Sequence, residues 1–226
     1  RHGHEVLLKI ENSPKLTIAL LDGLSMGGGS ELALACQAIV ATPAGSMAFP
    51  ETAIGIYPGL GGMLRMARQV GPELAKYLVF CGAPLTAVDA HALGIVTRLV
   101  EAAEVPAALK TLAAAGKPDK YRRRDLPEKF AAFAAMFSPG NIAALFNGKA
   151  PADAPADLAE RVMKTLSYKA PLALRLADEI INQQQGLTIP QAVEVELGRL
   201  KDIFSTADAL EGLSTVGSGR PQYKGA

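Results

Sequence analysis

The sequence has no tryptophan and few aromatics of any kind, with five tyrosines and seven phenylalanines in 226 residues. That scarcity argues against a surface on which nucleic-acid bases stack. Charge of one sign is also lacking: 23 Lys and Arg stand against 22 Asp and Glu, a net charge of +1. A protein that tracks a phosphate backbone carries a clear basic excess. No apolar run is long enough to span a bilayer, because charges such as Glu31 interrupt the richest stretches. The chain also does not open with the basic start and apolar core of a secretion signal. The only cysteines, Cys36 and Cys81, sit in apolar helix-like sequence, so the expectation is a reduced, cytoplasmic setting with both thiols buried. His2, His4 and His91 are the only histidines, and their spacing supplies no metal-ligand set.

What the chain does have is apolar content, 49% of its residues, enough to bury a full core in one large domain or one domain with an appendage. Up to residue 104 short strands and helices alternate. Residues 1–13 read as a helix with Val6, Leu7 and Ile10 on one face. Residues 16–21 read as a strand buried on both sides, because the apolar run is continuous. A helix over about 29–37, a strand over 38–42 and a short extended piece at 47–49 follow. Helices then begin at the Gly59–Gly62 cluster and at Pro72, the latter stopping at Gly82. Thr86 and Asp89 cap a helix to Leu93, and residues 95–100 return as a strand.

Beyond residue 104 the pattern is almost entirely helical. Residues 107–115 form one helix, and residues 117–157 read as a linker or insertion. Within that linker the basic run Lys120–Arg124 reads as a solvated surface turn. Phe130, Phe133 and Phe137, with Ile142, Leu145 and Phe146, read as a small apolar patch on two short helices. Residues 151–157 read as a loop. A helix from Pro171 carries Leu172, Leu176 and Ile180 on one stripe, and another follows from Ile189. No internal repeat is evident.

The chemistry is concentrated in residues 22–62, DGLSMGGGSELALACQAIVATPAGSMAFPETAIGIYPGLGG. Three glycines run into a helix that carries Glu31 near its start. Glycines let the backbone approach a ligand closely, and a helix entrance offers unpaired N–H donors, a combination suited to an oxygen that becomes negative during reaction. A second carboxylate, Glu51, is held behind Pro50. Two carboxylates beside an oxyanion site can serve as general acid and general base on one water. A glutamate at a helix start is, taken alone, more often a capping residue.

The wording DGxxxGGGxELAL, FPE, GxxPGxGG and GAPLTAxDAxxLGIV, with FSTADALEG and RPQYKG near the end, resembles the crotonase superfamily, and within it the enoyl-CoA hydratases. The resemblance implies an α/β fold, a spiral of ββα turns, with residues 1–104 as a partial core and residues 105–226 as a helical region that builds trimers or hexamers. It also implies further strands ahead of Arg1, including a loop that supplies the second oxyanion donor. The expectation is therefore a fragment, a split subunit or the end of a longer polypeptide, most similar to the hydratase portion fused to a 3-hydroxyacyl-CoA dehydrogenase.

For the site, the resemblance implies that the Gly28 N–H stabilises an enolate while Glu31 and Glu51 hold one water, adding it reversibly to a trans-2-enoyl-CoA in fatty-acid β-oxidation. Gly27, Pro58 and Gly59 would flank the substrate, Gly59 either as a further donor or as a turn residue. Met26 and Phe49 line the acyl pocket or belong to plain core. Phe204 and Lys224 fall in the C-terminal motif that reaches the CoA nucleotide in relatives, where Lys224 either pairs with a phosphate or is ordinary surface. His91 reads as a surface histidine. No metal and no cofactor is implied beyond the CoA thioester itself, with NAD only where a dehydrogenase is fused. The partner is then a small acyl-CoA, neither nucleic acid nor membrane. The alternatives are an enoyl-CoA isomerase, a 3-hydroxyisobutyryl-CoA hydrolase, or an inactive binding or assembly module lacking half the oxyanion site.

Overall fold

The computed structural model describes residues 1–226. Helix α1 (His2–Glu11) leads into strands β1 (Ile18–Leu21) and β2 (Leu24–Met26), helix α2 (Gly28–Ala35), and strands β3 (Ala38–Ala41) and β4 (Ser46–Ala48). A 3-10 turn (Glu51–Ile54) precedes α3 (Gly62–Val70), α4 (Pro72–Cys81), β5 (Leu85–Thr86), α5 (Ala87–Ala92) and β6 (Arg98–Leu99). After a second 3-10 turn (Ala102–Glu104) the chain is helical: α6 (Val105–Ala115), α7 (Glu128–Met136), α8 (Ile142–Phe146), α9 (Ala156–Leu166), α10 (Pro171–Gln183), α11 (Ile189–Gly198), α12 (Leu200–Phe204) and α13 (Ala207–Ser214).

The strands form two small sheets, ordered β1-β3-β6 and β2-β4-β5. β1 pairs parallel with β3 and β2 parallel with β4, so α2 is the crossover of both units. β5 closes the second sheet antiparallel to β4. The strand over residues 16–21 is not buried on both sides as its apolar run suggests. β1 is an edge strand, and Leu20 is 48% exposed beside Leu24 at 65%, Met26 at 45% and Leu32 at 45%.

The core is continuous across residue 104. A single cluster of 40 buried residues extends from Leu21 to Ile203. Of the residues expected to form a small apolar patch, Phe130, Phe137, Ile142 and Leu145 belong to this core and Phe133 and Phe146 pack against it: Phe133 stacks on Tyr77 of α4 with centroids 4.0 Å apart, and Phe137 meets Phe80 edge-on at 5.8 Å. In α10 the buried stripe is Ala173, Leu174, Ala177, Ile180 and Ile181, while Leu172 and Leu176 lie at its margin. Small alanines let α10 lie close to α4, and the buried Lys76 of α4 reaches Asp178 at 2.7 Å. Helix α9 is not foreseen in the sequence reading, although Leu158, Val162 and Leu166 repeat at the four-residue interval of one helical face.

The basic run is a strap rather than a free surface turn. Lys117 donates to Ser13 O just beyond α1, Lys120 to Ala35 O at the end of α2, Arg123 to Ala67 O and Arg68 O in the last turn of α3, and Arg124 to His91 O in α5. Helix C-termini carry a partial negative charge that cations complement, here at carbonyls of which Ala67 O and His91 O also accept from Gly71 N and Gly94 N. Tyr121, in a left-handed conformation at φ 67°, hydrogen-bonds Glu11, which also holds Lys120 at 3.0 Å and the buried Arg65 at 2.8 Å.

Candidate active site

The hydrogen bonds at the start of α2 determine what lies near Glu31. Gly27 donates its N–H to Ala48 O at 2.9 Å. The buried Ser30 hydroxyl bonds Ser25 O at 2.9 Å and Ala48 O at 3.0 Å and accepts from Ala48 N at 3.2 Å. The end of β4 is thereby tied to the first turn of α2, and two residues later the chain turns at Pro50 into the 3-10 turn that opens with Glu51. Thr52 anchors that turn from behind, its hydroxyl bonding Val79 O and Phe80 O at the end of α4. The C-terminal segment closes it from the other side: Tyr223 donates to Ala53 O at 2.7 Å, and α13 packs across Ile54 and Gly55.

Gly27 has φ 52° and no room for a side chain, since a Cβ would lie 2.7 Å from Glu51 Oε1. At Gly62 a Cβ would lie 2.8 Å from Glu31 Cγ and 2.7 Å from the Phe49 ring. Both carboxylates therefore crowd the glycine entrances, and both are buried, at 2% exposure for Glu31 and 8% for Glu51. Glu31 Oε1 accepts from Leu60 N at 2.7 Å and Gly62 N at 2.9 Å. Glu51 Oε2 is buried without a hydrogen-bond partner.

Burial pushes Glu31 up to about 7, helped by the nearby charge of Glu196 and opposed by the two backbone amides and by His4. Burial likewise pushes Glu51 up to about 7, opposed by its own backbone amide and helped by the charge of Glu31. The negative charge of Glu31 disfavours ionisation of Glu51. Gly28 opens α2, where the helix leaves its own N–H unpaired, and a Cβ there would meet only Leu60 at 3.9 Å. Two buried carboxyls of raised pKa and the opening amide of α2 thus converge on one helix entrance, an arrangement that suits general acid–base chemistry next to a carbonyl.

The structure brings Gly27, Gly28, Glu31 and Glu51 together and separates the other candidates. Gly27 contributes space, because its amide is committed to Ala48. Phe49 is 2% exposed and packs against Gly62 in the core, whereas Met26 is 45% exposed on the surface leading to Gly28. Pro58 is buried and Gly59 half-buried. The donors in that loop are the next three amides, of Leu60, Gly61 and Gly62. Phe204 is 55% exposed, and Lys224 is an exposed residue whose backbone N–H binds Asp208. Neither joins the hydrogen bonds around the carboxylates. His91 is half-buried, its ring held below the usual range by burial and by Arg124 and Arg98. Cys81 is pushed up to about 12 by burial, and Cys36 is raised for the same reason.

Two buried residues beside the site, Glu196 and His4, are not singled out by the sequence. Glu196 is fully buried in α11 and accepts from Gly61 N at 2.8 Å and pairs with His4 Nε2 at 2.8 Å. A glutamate three residues after Val193, on the buried face of its helix, is the available signal. The main concavities adjoin the site or lie apart from it. One of about 580 Å³ runs along β1 and β2 up to Gly29, and another of about 560 Å³ lies under the basic strap.

Comparisons with known proteins fit this geometry. The family described as enoyl-CoA hydratase/isomerase matches residues 1–223. The mouse (Mus musculus) mitochondrial methylglutaconyl-CoA hydratase is 31% identical over 221 residues, 97% of this chain and 56% of the relative. The Arabidopsis thaliana peroxisomal fatty acid β-oxidation multifunctional protein MFP2 is 38% identical over 96 residues, 42% of this chain and 13% of the relative. Among solved structures, an enoyl-CoA hydratase from Rhodobacter sphaeroides 2.4.1 superposes with a TM-score of 0.78 at 25% identity, covering 99% of this chain and 67% of that one. A carnitinyl-CoA dehydratase from Mycobacterium thermoresistibile has the same TM-score at 22% identity, covering 98% and 66%. The chain spans about half the length of the methylglutaconyl-CoA hydratases it matches.

Proposed function

Because this chain belongs to the enoyl-CoA hydratase/isomerase family, we propose that it catalyses the reversible syn addition of water to a trans-2-enoyl-CoA, giving a 3-hydroxyacyl-CoA. The observation that carries this reading is the placement of two buried carboxyls, both raised to about 7, beside the opening amide of α2. Glu31, whose Oε1 is held by two amides that favour its charged form, removes the proton from water. Glu51, with its buried unpaired Oε2, delivers a proton to the α-carbon. The Gly28 N–H binds the thioester oxygen as it becomes an enolate. Relatives named as hydratases, matched over nearly the whole chain, favour hydration over isomerisation or thioester hydrolysis.

The apolar edge formed by Leu20, Leu24, Met26 and Leu32 receives strands of the same fold that bring the second oxyanion donor. Met26 and that edge line the acyl chain, and Lys224 meets a CoA phosphate. The active form is a cytoplasmic trimer or hexamer, with NAD chemistry only where a dehydrogenase shares the polypeptide. Loss of the enone absorbance of crotonyl-CoA, followed with this chain and with the full natural polypeptide that carries it, tests the reading. Hydration by the full polypeptide is expected. Failure of both rejects hydration, and activity of the longer form alone assigns the second donor to residues outside this chain.

A further inference from the structure

Three successive amides in the loop before α3 are shared between two carboxylates. The outer two, Leu60 N and Gly62 N, donate to Glu31 Oε1, and the middle one, Gly61 N, donates to Glu196 Oε1. The carbonyls of Leu60 and Gly61 are held from the opposite side by the buried Arg65 at 3.1 and 3.3 Å. Glu196 is itself fixed: its side chain pairs with His4 Nε2 at 2.8 Å, and its backbone carbonyl accepts from Tyr57 Oη at 2.9 Å. Glu196 and His4 are 0% and 3% exposed. No solvent screens either of them, and neither is used in the chemistry assigned above.

We propose that Glu196, braced by His4, is a positioning residue for Glu31: it grips the middle amide of the loop whose two outer amides orient the Glu31 carboxylate. This deepens the hydration reading and rests on it for its catalytic meaning. Glu196 touches no reacting atom. The groups facing Glu31 are Glu51 on the 3-10 turn, Glu196 on α11 and His4 on α1, with the Arg65–Glu11 pair behind the loop. The charge of Glu196 raises Glu31 and that of His4 lowers it. Loop geometry and charge are thus set by the same pair.

The test is direct titration of Glu31 by carbon NMR in the whole chain labelled at its glutamate carboxyls, with Glu31→Gln supplying the assignment. Glu196→Gln keeps an acceptor for Gly61 and removes the charge, so the Glu31 midpoint should fall by roughly one unit. His4→Gln should move it up, opposite in sign, which a purely structural disturbance would not do. Glu196→Ala removes the anchor, and amide hydrogen exchange at Gly61 should quicken by about tenfold or more. In the active polypeptide Glu196→Ala should lower kcat with KM unchanged. An unmoved Glu31 midpoint in both charge variants, or shifts of the same sign, overturns the proposal. If Glu196→Gln does not fold, His4→Gln decides, and a midpoint that does not rise overturns it. Absence of hydration in every form, wild type included, would sink the hydration reading while the titration still judges this one.

Discussion

Two carboxyls that ionise near neutrality place a cost on the fold wherever both are charged. Their ordinary value is 4.5 and their folded value about 7, so between these the folded chain binds more protons than the unfolded one. Their stabilising contribution is complete below about pH 4.5 and is lost as the pH rises through about 7. Glu51→Gln should therefore raise the Tm above wild type by a few degrees at about pH 8, with the difference closing toward pH 4.5; calorimetry across that range checks it. The same substitution, like Glu31→Gln, should lower kcat for hydration by about 10²–10⁴-fold, measured by enone absorbance. Equal Tm at all pH values would mean that the carboxyls are not destabilised. Glu31, Glu51 and Gly28 stand out in the sequence through the glycines at a helix entrance, the proline-held carboxylate and the family resemblance, and the structure gathers them at the start of α2. Glu196 does not stand out, since it comes within reach of Gly61 only through packing across 135 residues.

At the scale of elements, the strap and the C-terminal segment do what their sequences do not announce. The run Lys120–Arg124 looks like solvated charge because its acceptors are backbone carbonyls of distant helices, which no spacing rule reveals. Its anchor is Glu11, held below the usual carboxylate range because Arg65 and Lys120 together outweigh its burial. Glu11→Ala leaves Arg65, 1% exposed, without its carboxylate partner, so the loss should be about 3–5 kcal/mol by urea unfolding. In the wild type the Glu11 contribution is present above the ordinary carboxylate value and disappears as pH falls through its lowered one. Helix α13 approaches the Glu51 turn closely enough that a Cβ on Gly212 would lie 2.3 Å from Ile54 O. Gly212→Ala should cost about 1–3 kcal/mol and lower activity by displacing that turn, read by urea unfolding and by the hydration assay. Helix starts at Pro72 and Thr86 were readable from their capping residues, while the exposure of β1 depends on its place at a sheet edge.

For the molecule as a whole, the continuity of the core is the finding that a linear reading obscures. The composition changes at residue 104, yet Ala38 and Val40 pack with Leu112, and Leu64 packs with Ala192 and Val193. Unfolding should accordingly be one cooperative transition, with coincident far- and near-ultraviolet dichroism; two separated transitions would show that the halves fold independently. The central claim is that Glu31 and Glu51 pass one water across a double bond. It is tested most directly by running the full natural polypeptide on crotonyl-CoA in deuterium oxide and reading the product by NMR. The expected product is 3-hydroxybutyryl-CoA with one deuteron at the α-carbon, added to the same face as the hydroxyl and lost in the Glu51→Gln variant. Deuterium exchange without hydroxyl addition, release of free CoA thiol, or full activity in that variant would contradict it.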